Sequence, residues 1–156
     1  MDEELQEIKE EIFTLLSYRL RSSYELKQRL LQKGYRQEKI DEAINYLLAA
    51  GYLNDEDFAY KWIKDRLKHK PRGRNLLIKE LKSKGIGDDI IEKVLNDLLA
   101  PEIELELGLS LALKWLNSRE KDINKLKRYL YNKGFPLSLI NKIVNSLEEK
   151  RSVNNL

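Results

Sequence analysis

Residues 77–98, LIKELKSKGIGDDIIEKVLNDL, decide how this chain folds. Leu77 and Leu81 stand one helical turn apart ahead of Gly85, and Ile91, Leu95 and Leu98 follow it at offsets of six, ten and thirteen. Those spacings trace the faces of two helices and not the alternation of a strand. Gly85 separates the two, because a helix commonly closes on a residue in the left-handed conformation that glycine adopts without penalty. Lys84 sits where the helix dipole favours a cation.

The pattern recurs on both sides. Lys33-Gly34 and Lys133-Gly134 flank Lys84-Gly85 at some fifty residues, a period typical of a repeat array. Leu26 and Leu126 take the place of Leu77, and Leu30 and Leu130 that of Leu81. Behind the glycines, Ile40 and Ile140 match Ile91, Ile44 and Val144 match Leu95, and Leu47 and Leu147 match Leu98. Helix starts are marked as well: Ser22-x-x-Glu25 forms a capping box, Asn54 precedes three acids, Asp122 opens the corresponding helix of the third copy, and Pro136 suits a first turn. Each copy reads long helix, short helix, glycine, helix. The sequence thus predicts an all-α protein of three tandem three-helix repeats, over residues 8–53, 54–100 and 101–150. Units this small bury little surface alone, so stacking into an elongated, curved array is expected, with beads on short linkers as the alternative.

Composition narrows the function. The 42% of hydrophobic residues fills a core, and the 35% of charged residues fits exposed helices, which together exclude disorder for the body of the chain. The absence of cysteine excludes disulfides and thiolate metal centres. No apolar run approaches the roughly 20 residues of a membrane span, and Asp2-Glu3-Glu4 does not read as a secretory signal. A cytoplasmic monomer with no membrane association is expected. No phosphate loop, metalloprotease motif or cysteine nucleophile occurs, and His69 is the single histidine. A non-enzymatic binding protein without cofactor or metal is therefore expected.

The net charge of +3 conceals a concentration. Ten lysines and arginines lie between Lys61 and Lys84, opposed by Asp65 and Glu80 alone, which points to a polyanionic partner for the middle repeat. A merely solvated face is the competing reading. Arg66 breaks the repeat symmetry, because Leu15 and Trp115 hold its position in the other copies. Either its stem lies along the apolar surface with its head in water, or its sector faces a cleft between units that binds an anion, with Lys70 one turn on. Lys68-His69-Lys70-Pro71-Arg72-Gly73-Arg74 follows as a turn. Candidate filament- or DNA-binding residues are Arg66, Lys68, Lys70, Arg72, Arg74 and Lys79, with Arg19 and Arg21 from the first repeat. Most tyrosines and both tryptophans, with Tyr24 and Tyr60 set apart, fall on helical stripes and read as core or repeat-interface residues.

Four stretches resemble the RecX family of RecA regulators: Arg19-x-Arg21-Ser22-x-x-Glu25-Leu26, Gly51-Tyr52-Leu53-Asn54-Asp55-x-x-Phe58-Ala59, Arg66 through Gly73 to Glu80-Leu81-x-x-Lys84-Gly85-Ile86, and Leu130-x-x-Lys133-Gly134-Phe135. The resemblance implies a regulator, mainly an inhibitor, that binds in the groove of the RecA filament on single-stranded DNA. It further implies damped ATP hydrolysis and strand exchange, by bridging subunits or capping growth, in recombination, repair and the SOS response. Members of the family also bind DNA. Arg66 and Gly73 match the family's middle motif, whereas Arg74 stands where proline is usual. The residues read without that resemblance also allow a stand-alone helical nucleic-acid-binding protein.

Overall fold

The computed structural model describes residues 2–118 and 122–154, and among these every regular element is helical. The order is α1 (Glu3–Tyr18), α2 (Ser23–Gln32), α3 (Gln37–Ala49), α4 (Asp55–His69), α5 (Arg74–Ser83), α6 (Asp88–Leu98), α7 (Pro101–Ser118), α8 (Ile123–Asn132) and α9 (Leu137–Asn154). Three consecutive triplets of long, short and third helix result, as the spacing of the glycines requires.

Local chemistry places the helix ends. Gly34, Gly85 and Gly134 all take the left-handed conformation, with φ of 93°, 75° and 94°. In each case the glycine N–H donates to the carbonyl three residues back and the next residue's N–H to the carbonyl five back, as in Tyr35 to Leu30, Ile86 to Leu81 and Phe135 to Leu130. This double bond to the last turn satisfies carbonyls that a helix end otherwise strands, and the apolar residue after the glycine folds back over that turn. At the opposite ends, Ser22 and Glu25 form the reciprocal capping box on α2. Asn54 accepts from the Asp57 N–H at 3.0 Å, and Asp122 accepts from Asn124 and Lys125.

By compactness the chain divides into two units, Met1–Trp62 with Leu81–Ile91 and Ile63–Glu80 with Glu92–Leu156, so the middle repeat is shared between them. In the first unit Ile8, Ile12 and Leu15 of α1 pack against Leu26 and Leu30 of α2 and Ile40, Ile44 and Leu47 of α3. In the second, Ala112 and Trp115 of α7 meet Leu126 and Leu130 of α8, Phe135, and Ile143 of α9. Gly108 lets α7 and α9 approach, since a methyl there would collide with the Ile143 side chain.

Inside each unit one repeat grips the next by the same device. In the first, the Ser22 hydroxyl donates to the Lys84 carbonyl at 2.7 Å, and the Ser23 N–H donates to the Asp55 carboxylate at 2.8 Å. In the second, the Gly73 N–H donates to the Lys133 carbonyl at 2.8 Å, and the Arg74 N–H donates to the Glu104 carboxylate at 2.7 Å. Lys84 and Lys133 are repeat equivalents, as are Asp55 and Glu104. The first residue of a short helix thus finds its acceptor on an acid from the following copy, which also suits the positive end of the dipole.

Side-chain placement corrects one expectation. Tyr18, Tyr46, Tyr52 and Tyr131 are exposed. The stripe reading holds for Trp115, which is buried and stacks on Tyr129 at 5.9 Å between centroids. It fails for these tyrosines because a phenol tip hydrogen-bonds water as readily as it packs.

Candidate functional site

The basic stretch runs from the last turn of α4 through Lys70–Gly73 into α5, all within the second unit. Its arginines turn inward. Arg66 Nε donates to Glu80 Oε2 at 3.2 Å, and Arg72 Nη1 donates to the same oxygen at 3.0 Å. Arg72 Nε also donates to the Lys70 carbonyl, which fixes the turn. The guanidinium of Arg66 thus meets carboxylates of its own chain, Glu80 through Nε and Asp65 through Nη1 at 3.8 Å. With its side chain 21% exposed, Arg66 is only partly buried at the position where Leu15 and Trp115 are buried in the other copies.

Arg74 is held more firmly. Its Nε donates to Glu104 Oε1 at 2.7 Å, its backbone N–H to Oε2 at 2.7 Å, and its Nη2 to the Leu99 carbonyl at 3.0 Å. The Glu104 side chain is 3% exposed and that of Arg74 29%, so the acid of this ion pair is buried, with both carboxylate oxygens occupied. Such a pair tolerates loss of either partner badly.

The lysines face outward. Lys64, Lys68, Lys70 and Lys79 are exposed, and among the described residues none has a carboxylate within ion-pair distance. Lys64 and Lys68 lie one turn apart and so share a face of α4. His69 stands 3.8 Å from Asp65 at the helix end. The structure thus separates the cations by type: arginines, with rigid forks that saturate a carboxylate, build the turn, and lysines present its charge.

In the first unit Arg19 Nη2 donates to Glu25 Oε2 at 2.6 Å, and Lys84 Nζ donates to the same oxygen at 3.3 Å. Arg21 Nε donates to the Leu15 carbonyl at the end of α1 at 3.2 Å. Burial pushes the Glu25 carboxyl up, but bonds from Arg19 and the Ser22 N–H, with the nearby Lys84 charge, outweigh it and leave the group below the usual range. A carboxyl so lowered stabilises the fold fully above the ordinary glutamate value, and that contribution disappears as pH falls through the lowered one. Thermal unfolding of Glu25→Gln should therefore show a shallower loss of Tm than the parent chain between pH 6 and about pH 3; parallel curves would contradict this role for Glu25.

Sequence reading names the cations and counts Glu80 as an opposing charge, but not the pairing with Glu80 and Glu104 that decides where three of them point. One signal is present, since Asp55 and Glu104 stand at the same offset ahead of Gly85 and Gly134. Among the described residues no cluster of three or more His, Asp or Glu side chains could hold a metal, and no helix is long and apolar enough to cross a membrane.

The models of the RecX first, second and third three-helix domains match residues 9–47, 54–95 and 102–144. Regulatory protein RecX of Thermotoga petrophila is 37% identical over 134 residues, covering 86% of this chain and 80% of its own. The chain belongs to the RecX family. A second RecX relative, from Caldanaerobacter subterraneus subsp. tengcongensis, is 34% identical and covers 91% of this chain and 71% of its own. The crystal structure of RecX from Lactobacillus salivarius superimposes with a TM-score of 0.85 at 27% identity, over 95% of this chain and 99% of that one. Relatives of this RecX chain are thus named regulatory proteins, and the fold is that of solved RecX structures.

Proposed function

We propose that this chain regulates the RecA recombinase, mainly as an inhibitor, by binding in the groove of the RecA filament on single-stranded DNA and modulating its ATPase and strand exchange. The observation that carries this reading is the run of three RecX domains along the chain, shared with curated regulatory RecX proteins at more than a third identity. No chemistry is asked of the protein. Its contribution is a surface, and the lysines of the middle repeat supply one suited to phosphates or an acidic filament face. The decisive experiment measures RecA ATPase and strand exchange on single-stranded DNA with rising amounts of this protein. Inhibition is expected, and unchanged rates at saturation would refute the proposal.

The separation of arginines from lysines makes a sharper expectation. Lys68→Gln, Lys70→Gln and Lys79→Gln combined should leave Tm within about 1–2 °C of the parent, while weakening filament binding and flattening its dependence on salt. An unaltered salt slope in co-sedimentation would show that these lysines face away from the partner.

A further inference from the structure

The solvent side of the first repeat carries rings and acids together, all within the first unit. Phe13 is 44% exposed, Tyr46 57% and Tyr52 63%. The Phe13 ring stands edge-on to Tyr52 at 5.3 Å between centroids. Lys9, one turn before Phe13 on α1, holds its ammonium 3.8 Å from the centre of the Tyr46 ring. The three rings therefore form one surface across α1, α3 and the joint that follows. A tyrosine tip is at home in water, but a phenyl ring has no polar atom to offer it, so an open Phe13 marks a surface that gains from being covered. Along the adjoining outer side of α1 run Glu3, Glu7 and Glu10, exposed and with no lysine or arginine within ion-pair distance among the described residues. Glu7 and Glu10 meet only neutral groups, the Tyr35 hydroxyl and the Gln6 amide. Like charges three and four apart weaken a helix, and beyond the first turn its dipole does not reward them.

A face of opposite sign lies on α8, within the second unit. Lys125, Lys127 and Arg128 are exposed and have no carboxylate within ion-pair distance among the described residues. Tyr131, one turn on from Lys127, is 59% exposed, while Leu126 and Leu130 hold the buried side of the same helix. Sign decides which occupant the first-repeat face accepts. The acids of α1 repel a polyanion, and they repel a second copy of α1, so whatever covers Phe13 carries cations. The molecule already displays the contact that such a partner makes, since the Lys9 ammonium sits on one of these rings. α8 offers the same chemistry with three cations and a ring of its own.

We propose that the face formed by Phe13, Tyr46, Tyr52 and Glu10 takes the α8 face of a second copy of this chain, with Lys127 and Arg128 supplying the cations. Two different surfaces meet, so the contact is heterologous, and each bound copy leaves one face open for the next. A few rings and charges against one short helix make an interface of the weak, transient class. In dilute solution the chain is the monomer that its sequence leads one to expect. Gathered on a linear template, copies bind beside one another with positive cooperativity, because the template raises their local concentration. The inference goes beyond the proposed regulatory role and does not need RecA, so the two can fail separately.

Sedimentation equilibrium of the full chain at rising protein concentration, with neither RecA nor DNA present, tests this. The weight-average mass should climb above that of the monomer and fall back as added salt screens the contact. Glu10→Lys and Arg128→Glu, both at exposed positions that hold no ion pair in the described fold, should each weaken association about tenfold or more. Mixed in equal amounts, the two variants should associate again, because each keeps the face that the other has lost. Phe13→Ala should weaken association as well, with circular dichroism reporting whether α1 keeps its helix. A parent chain that stays monomeric at every concentration overturns the inference, as does association that both charge reversals leave intact or that mixing fails to restore. So does a monomeric parent whose affinity for RecA-coated DNA falls with Glu10→Lys, since the face would then belong to a different protein.

Discussion

Arg74→Ala is expected to cost about 3–5 kcal/mol of stability. The loss comes less from the guanidinium's own bonds than from what it leaves behind. Glu104, 3% exposed, would keep only the Arg74 backbone N–H as a partner and would hold a largely buried charge without its counterion. Urea unfolding followed by circular dichroism measures the effect directly. Glu104→Leu in the Arg74→Ala background removes the stranded charge and should recover a substantial part, so the double variant is expected to be more stable than Arg74→Ala alone. A loss below about 1 kcal/mol for Arg74→Ala would mean that the pair behaves as a screened surface bridge. By contrast, Lys68→Gln and Lys70→Gln should change stability little, although sequence alone groups them with Arg74.

Gly134→Ala should destabilise far more than Gly34→Ala, and the pair separates two costs that usually come together. Both glycines have nearly the same φ, 94° and 93°. Each substitution therefore incurs the left-handed strain of about 1–2 kcal/mol. Around Gly34 a methyl group meets nothing, whereas at Gly134 it would stand 2.6 Å from the backbone nitrogen of Leu76 and 2.9 Å from the Gly73 carbonyl oxygen. Backbone cannot rotate aside as a side chain can, so Gly134→Ala adds an overpacking cost of about 1–3 kcal/mol. Gly73→Ala should share that second cost without the first, because its methyl would lie 2.6 Å from Gly134 and Phe135 main-chain atoms. Equal midpoints for Gly34→Ala and Gly134→Ala in urea would argue that the two repeats do not press together at that loop.

The helices are legible in the sequence, because the apolar spacing, the three Lys-Gly pairs and the Ser22, Asn54 and Asp122 caps all act within a few residues of themselves. The direction of the cations is not. Arg66 reaches Glu80 fourteen residues away and Arg74 reaches Glu104 thirty away. Which acid a guanidinium finds depends on the packing of helices, and no local rule supplies that. The exposed tyrosines escape a sequence reading for a related reason: helical periodicity locates a stripe, but whether another helix covers it is a tertiary fact. Arg66 itself stands out in the sequence for the right reason, an apolar position turned charged, while its partner lies within the same repeat.

The grip of one repeat on the next is made largely of main chain: the Lys84 and Lys133 carbonyls accept, and the Ser23, Gly73 and Arg74 amides donate. Side-chain replacement does not delete an amide or a carbonyl, so drift over time can rewrite most of the surface without unfastening the joints. Only a few positions, an acid here and a missing methyl there, carry a veto. Such an arrangement leaves the outer faces at liberty to be tuned to a particular partner while the scaffold beneath them stays the same, which accords with a shared fold at 27% identity.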